Sequence, residues 1–215
     1  MLQKRAQEVL ATLFEERPAL QGCQQDIQRA AALLVQCLQG GGRVYLCGNG
    51  GSSADSAHIT GELVKGFKLH RPVDGGLAAR LAATGEEGAR MAARLQQGLP
   101  AVDLTAQGAV ISAIANDLGG DYIFAQQLMA YGRPGDVLLA LSTSGTAANV
   151  NCALTLARAL GMGAIVLTGG VGEPAASLAD VAVRVPETVT YRVQEYHLPV
   201  YHGLCAAVEA HFFQE

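Results

Sequence analysis

Charge is scarce in this chain: Asp, Glu, Lys and Arg together make only 16% of its 215 residues, and the net charge is −4. A chain so poor in charge is not a disordered one, and without a basic field a nucleic-acid partner has no electrostatic support. No apolar run is long enough to cross a bilayer, so no membrane partner is expected. The opening MLQKRAQEVLATLFEERP is amphipathic and charged and lacks the apolar centre of a signal peptide, so the expected location is cytoplasmic. Cysteines number only five, at 23, 37, 47, 152 and 205, and no two share the short spacing of a metal or redox motif. An odd, scattered set reads as free thiols of a reducing compartment, each a small buried hydrophobe. Internal repeats and low-complexity linkers are also missing. The length then fits one domain, or one domain with a helical extension.

What is present is apolar: half the residues are hydrophobic and 26 are glycine. That balance suits an α/β domain whose sheet is buried on both faces. Helical periodicity over 2–16 and 22–39, separated by Pro18, predicts a helical hairpin within residues 1–40. Its apolar stripes must pack on the rest of the domain or on another subunit. Within 41–215 the apolar runs Val44–Cys47, Ala101–Leu104, Val137–Leu141, Ala164–Leu167 and Val181–Val185 read as strands. Helical patterns run from the first strand to about Lys68, over 108–131 with a break near Gly119-Gly120, and over 147–160. A last helix covers Thr190–Phe213 except at Pro199, and the Ala-rich stretch 77–97 adds a helix or helix pair. Strands alternating with helices predict a three-layer α/β fold with a parallel five-stranded sheet. Ligands of such sheets bind beyond the carboxyl ends of the strands.

Two strand-to-helix junctions have the chemistry to hold an anion. Asn49-Gly50-Gly51-Ser52 follows the first strand; its glycines allow close backbone approach, and Ser52 or Ser53 can cap the next helix. A tight turn with no ligand is the plain alternative. Ser142-Thr143-Ser144-Gly145-Thr146 follows the third strand and sets several hydroxyl and amide donors against a helix start, which matches the acceptor oxygens of a phosphate monoester. An elaborate N-cap needs only one of those hydroxyls. Neither loop is a nucleotide fingerprint, because the Walker lysine and the GxGxxG spacing are both absent.

Titratable groups gather in two places. His58 and Glu62 are four residues apart and share one face of the helix after the first glycine loop. The segment Tyr191–His202 holds Gln194 and His202, which would lie about 12 Å apart along a straight helix. They can serve one site across an elongated substrate, through a bend at Pro199, or from different subunits. His202 also reads as a satisfied core histidine.

Taken together, GNGGSSADSAH followed by EL, AND at 115–117, GDVLLALSTSG at 135–145 and QEYHLPVYH at 194–202 resemble the phosphoheptose isomerase branch of the sugar isomerase (SIS) domain family. The resemblance runs nearly end to end, hairpin included. It implies a flavodoxin-like sheet and a homotetramer with active sites at subunit contacts. It implies an aldose–ketose isomerase that works through an enediol, converting sedoheptulose 7-phosphate to D-glycero-D-manno-heptose 7-phosphate. By motif, Asn49, Gly50, Gly51, Ser52, Glu62, Asn116, Asp117 and Gln194 face the substrate, and Ser142, Thr143 and Ser144 hold its phosphate. Glu62 and His202 match the acid–base pair, and His58, Glu62, Gln194 and His202 match the positions that bind zinc. A carboxylate and an imidazole can move the protons of an enediol mechanism, and zinc would act as a Lewis acid on the sugar oxygens.

Three departures bear on the substrate. Ala147 stands where the family has a second serine, with Thr146 as a replacement donor; Lys65 or Lys68 replaces the arginine that follows Glu62; and the stretch 74–98 looks inserted. The same motifs also resemble a DNA-replication initiator-associating protein of this family, so a non-catalytic tetramer that binds other proteins is the alternative. A sugar-phosphate sensor lacks the helix-turn-helix needed to reach DNA.

Overall fold

The structure, a computed structural model, describes residues 2–213, so Met1, Gln214 and Glu215 at the ends of the two expected segments lie outside the described residues. Its sheet contains β1 (Val44–Cys47), β2 (Ala101–Asp103), β3 (Val137–Ser142), β4 (Gly163–Thr168) and β5 (Val181–Arg184). All pairings are parallel and the spatial order is β2-β1-β3-β4-β5, the flavodoxin-like arrangement. Alternation along the central strands creates the layers. Val44, Leu46, Val137, Leu139, Leu141, Ile165 and Leu167 enter one core, whereas Tyr45, Cys47, Leu138, Ala140, Ala164 and Val166 enter the other.

The first core lies beneath α1 (Lys4–Glu16), α2 (Gln24–Gln39), α3 (Gly51–Val64) and α10 (Thr190–Phe212). Leu10, Leu13 and Phe14 of α1, with Ile27, Leu34 and Val35 of α2, belong to it, so the amino-terminal helices pack on the sheet domain of their own chain. A 3-10 turn over Pro18–Cys23 links them. The second core lies beneath α7 (Ala125–Tyr131), α8 (Ala148–Ala159) and the short α9 (Ala175–Leu178), which the sequence pattern does not announce. The break expected near Gly119 separates α6 (Gly108–Asp117) from α7, and Gly119 there has φ +106. The Ala-rich stretch forms a pair, α4 (Gly75–Ala82) and α5 (Glu86–Arg94), with Asp74 accepting from Leu77 N–H as N-cap. No residue of α4 is buried. The five thiols are free, but Cys152 is only half-buried, unlike the other four, because it lies on a partly exposed face of α8.

Two boundaries differ from expectation. α10 runs through Pro199 as one helix, so the expected interruption is absent. α3 stops at Val64, four residues early, and Lys65 is extended. The cause is a buried ion pair. The Glu209 carboxylate accepts N–H groups of Phe67 (2.8 Å), Lys68 (2.7 Å) and Leu69 (3.1 Å), which pulls this segment off the helix axis. Arg71 donates to the same carboxylate at 2.8 Å and to the carbonyls of Leu63 (2.7 Å) and Glu62 (3.1 Å). These are carbonyls that a helix end leaves unpaired, here satisfied by a guanidinium.

With both side chains out of solvent, Arg71→Met strands the carboxylate, and urea denaturation is expected to register a loss of about 3–5 kcal/mol. A second prediction concerns acid. Burial pushes the pKa of His197 down from 6.5 to about 4, only partly opposed by the Thr168 main chain. Above pH 6.5 the ring is neutral in both folded and unfolded chains. Between 6.5 and 4 only the unfolded chain takes up the proton, so stability is expected to fall with pH, by roughly 3 kcal/mol at the lower end. Melting temperatures across that range should fall in the wild type and flatten in His197→Leu.

Candidate active site

The strand order reverses between β1 and β3, and the loops leaving their carboxyl ends border the resulting crevice. After β1, Gly50 has φ +56 and serves as N-cap of α3 without a side-chain hydrogen bond, so neither Ser52 nor Ser53 caps the helix. Ser52 is buried instead, and Ser53 Oγ donates to Thr105 Oγ1 at 2.7 Å. The absence of a side chain at Gly51 leaves room for the Gln194 carboxamide, whose Nε2 would lie 2.5 Å from a Cβ there. After β3, Ser142 is buried and Gly145 has φ +75. Ser144 Oγ lies 2.8 Å from Thr146 Oγ1, and α8 begins at Ala148 with Ala147 as an N-cap that makes no side-chain hydrogen bond. The hydroxyls of this turn are therefore not spent on capping, and donors remain clustered ahead of a helix start.

Asn149, which the sequence reading missed, joins the two loops. Its carboxamide and that of Asn49 exchange hydrogen bonds of 2.8 and 2.9 Å. Asn116 and Asp117 bond to each other at 2.8 Å on the exposed end of α6. No hydrogen bond among the described residues ties them to either loop.

The groups expected to act as acid and base lie where α3 and α10 run side by side. His58 Nε2 is 3.2 Å from Glu62 Oε1 and 3.5 Å from His202 Nε2, so Glu62 and His202 share one cluster with His58 between them. Lys65 Nζ lies 3.2 Å from Glu62 Oε2. The His202 pKa is lowered, first by burial and then by His58, against an upward pull from Glu62. Behind them Tyr201 donates to Asp55 Oδ1 at 3.2 Å, and its oxygen is 3.1 Å from His58 Nδ1. Because the Tyr201 proton goes to Asp55, His58 donates from Nδ1 to the Tyr201 oxygen, and its Nε2 faces the Glu62 carboxylate. Burial raises the Asp55 pKa, while the Tyr201 hydrogen bond lowers it. Neither Asp55 nor Tyr201 was singled out in the sequence; Tyr201 lies inside the QEYHLPVYH motif, the one signal that could have drawn attention to it.

The expected zinc can be tested on this cluster. His58, Glu62 and His202 are nitrogen and oxygen groups of the kind zinc takes, with His58 Nε2 3.2 Å from Glu62 Oε1 and 3.5 Å from His202 Nε2. Three of the four expected ligands thus have suitable chemistry. Gln194 does not join them: it lies beside Gly51, about two helical turns before His202. Among the described residues no three His, Cys, Asp or Glu close around one point. Because α10 is continuous, a bend at Pro199 is not the answer; an elongated substrate or a second copy of the chain remains. The cluster opens at His202 into a groove of about 570 Å³ between α1 and α10, lined also by Phe67, Lys68, Arg5 and Thr12.

A family model for the SIS domain matches residues 7–98 and 90–169, and the chain belongs to that family, in its phosphoheptose isomerase branch. The phosphoheptose isomerase of Shewanella loihica is 38% identical over 200 residues, covering 92% of this chain and 89% of that one. Among solved structures, the phosphoheptose isomerase of Neisseria gonorrhoeae superposes with a TM-score of 0.71 at 34% identity, covering 94% of this chain and 98% of that one. The enzyme of Francisella tularensis gives 0.71 at 33% identity, covering 86% and 85%.

The hydroxyl of Tyr201 links Asp55 to His58 in one hydrogen-bonded line, so Tyr201→Phe is expected to cost about 1 kcal/mol and to release the imidazole tautomer. Nitrogen NMR should show His58 protonated on Nδ1 in the wild type and a tautomer mixture in the variant.

Proposed function

We propose that this sugar-phosphate isomerase converts sedoheptulose 7-phosphate to D-glycero-D-manno-heptose 7-phosphate. The observation that carries the reading is the shared cluster of Glu62 and His202, with His58 between them at 3.2 and 3.5 Å. Aldose–ketose exchange moves one carbon-bound proton between adjacent carbons and shuttles a second proton between their oxygens. Glu62 and His202 are the groups for these transfers. His202, whose pKa is lowered mainly by burial, is neutral at physiological pH and able to accept a proton and return it through the enediol.

At the other end of the crevice, Ser142, Thr143 and Ser144 receive the phosphate. Thr146 Oγ1, 2.8 Å from Ser144 Oγ, stands in for the serine missing at Ala147. Asn49, Gly50, Gly51, Ser52, Asn116, Asp117 and Gln194 complete the substrate surface in this reading. An elongated sugar would reach from the turn to the acid–base cluster. Lys65, close to Glu62, occupies the role of the displaced arginine.

Zinc belongs to the same proposal. His58, Glu62 and His202 would hold it, with Gln194 contributed by another copy of the chain, and it would polarise the sugar carbonyl and hydroxyl oxygens. The matching assembly is a homotetramer with shared active sites, and its compartment is the cytoplasm. No helix among the described residues is long and apolar enough to cross a membrane.

Purified protein supplied with zinc is expected to turn over sedoheptulose 7-phosphate, and Glu62→Gln to lower kcat about 10²–10⁴-fold with the melting temperature kept. Absence of turnover on any ketose phosphate in the zinc-loaded wild type would sink the isomerase reading. Elemental analysis and native mass measurement test the metal and the tetramer separately.

A further inference from the structure

One polar side chain near the crevice has no role in the reaction described above. His197 of α10 is 0% exposed, and neither ring nitrogen has a hydrogen-bond partner among the described residues. The Thr168 hydroxyl is in the same condition: Thr168 is 0% exposed and its Oγ1 is unpartnered. The two are neighbours: the Thr168 main-chain carbonyl is near enough to act as an acceptor toward the His197 ring, without the geometry of a formed hydrogen bond. Leaving such groups unpaired in a core costs about 1–3 kcal/mol each, a cost that demands an explanation. A neutral imidazole has one nitrogen to donate and one to accept, and Thr168 offers the complementary carbonyl and hydroxyl.

Their location supplies the explanation. Thr168 ends β4 and pairs in register with Ser142, the first residue of the hydroxyl-rich turn. The next residue, Gly169, donates its N–H to Thr143 O at 3.0 Å. A Cβ on Gly169 would meet that oxygen at 2.8 Å and Val193 Cγ2, one helical turn before His197, at 3.0 Å. Gly172 lies against the Thr168 side chain, and its carbonyl leaves no room for a Cβ on Gly145. The turn, the end of β4 and α10 are therefore in continuous contact, with the two unpaired groups at the junction.

We propose that His197 is a positioning residue: when the Ser142–Thr146 turn takes up the phosphate, His197 and Thr168 close a hydrogen bond that locks the turn to α10. That helix carries Gln194 and His202, so the anchored end of the sugar is tied to the reacting end. The inference rests on the sugar-phosphate isomerase reading.

The test is a double-mutant cycle on the intact protein, with sedoheptulose 7-phosphate as the probe in calorimetry and steady-state kinetics. His197→Leu and the near-isosteric Thr168→Val should each weaken binding about tenfold, the size of one hydrogen bond made only in the complex. KM should rise by the same factor, with kcat held within about twofold, because the lock acts on the bound ground state and transition state alike. The double variant should be no weaker than either single one, since the same bond is lost once. Melting temperatures without ligand, in mildly alkaline buffer, should be no lower than that of the wild type, since each variant removes a buried polar group left unpaired there. Wild-type affinity in both single variants, or losses that add in the double variant, would overturn the lock while leaving the isomerase reading intact. A wild type that neither binds nor turns over the sugar would remove both.

Discussion

The carboxylate of Glu209, buried near the end of the last helix, is the constraint on which the site depends. It accepts three consecutive main-chain N–H groups after α3 and the Arg71 guanidinium, which in turn takes the carbonyls of Glu62 and Leu63. Through this single cluster the end of α3 is fixed against α10. Glu62 and His58 project from α3 and His202 from α10, so the spacing of the proposed acid–base pair is inherited from a contact outside it. A buried ion pair gives little net stability, but its rigid, multiply bonded geometry suits the alignment of two helices.

A second alignment occurs at the opposite end of the same helices. Gly51 lets Gln194 approach the start of α3, and the Asn49–Asn149 pair ties the first loop to the second. α3 and α10 are thus held together at both ends, with the Asp55–Tyr201–His58 line between. The turn after β3 presents neutral donors suited to an anion, while the facing sides of α3 and α10 gather imidazoles and a carboxylate. This division of chemistry fits the proposed substrate, with a phosphate at one terminus and a carbonyl at the other.

The stretch that reads as inserted lies away from that spine. The α4–α5 pair buries almost nothing, is capped locally by Asp74, and returns through a bridge between Pro72 and Gln96. It can be accommodated because its two ends lie close together and Arg71, immediately before it, is anchored in the core. Thr146 retains a hydroxyl in the anion turn where the sequence pattern loses one.

Local periodicity in the sequence was enough to determine the layered architecture. The unbroken apolar runs of Val137–Leu141 and its neighbours specify a sheet buried on both faces, glycines after the first strand specify a turn, and the spacing of His58 and Glu62 specifies a shared helix face. Motif resemblance then supplied His202 and Gln194 as candidates. Partner choice was left to the tertiary structure. Neither Arg71 in a polar stretch nor Glu209 in an alanine-rich helix carries any mark of being 138 residues from its ion-pair partner. Nor could Tyr201 be read as the group that fixes the His58 tautomer, or His197 as unpaired. Periodicity encodes which face of an element leaves water; which side chains then meet is settled only when distant segments pack, because hydrogen-bond geometry depends on ångström-scale placement that no local pattern contains.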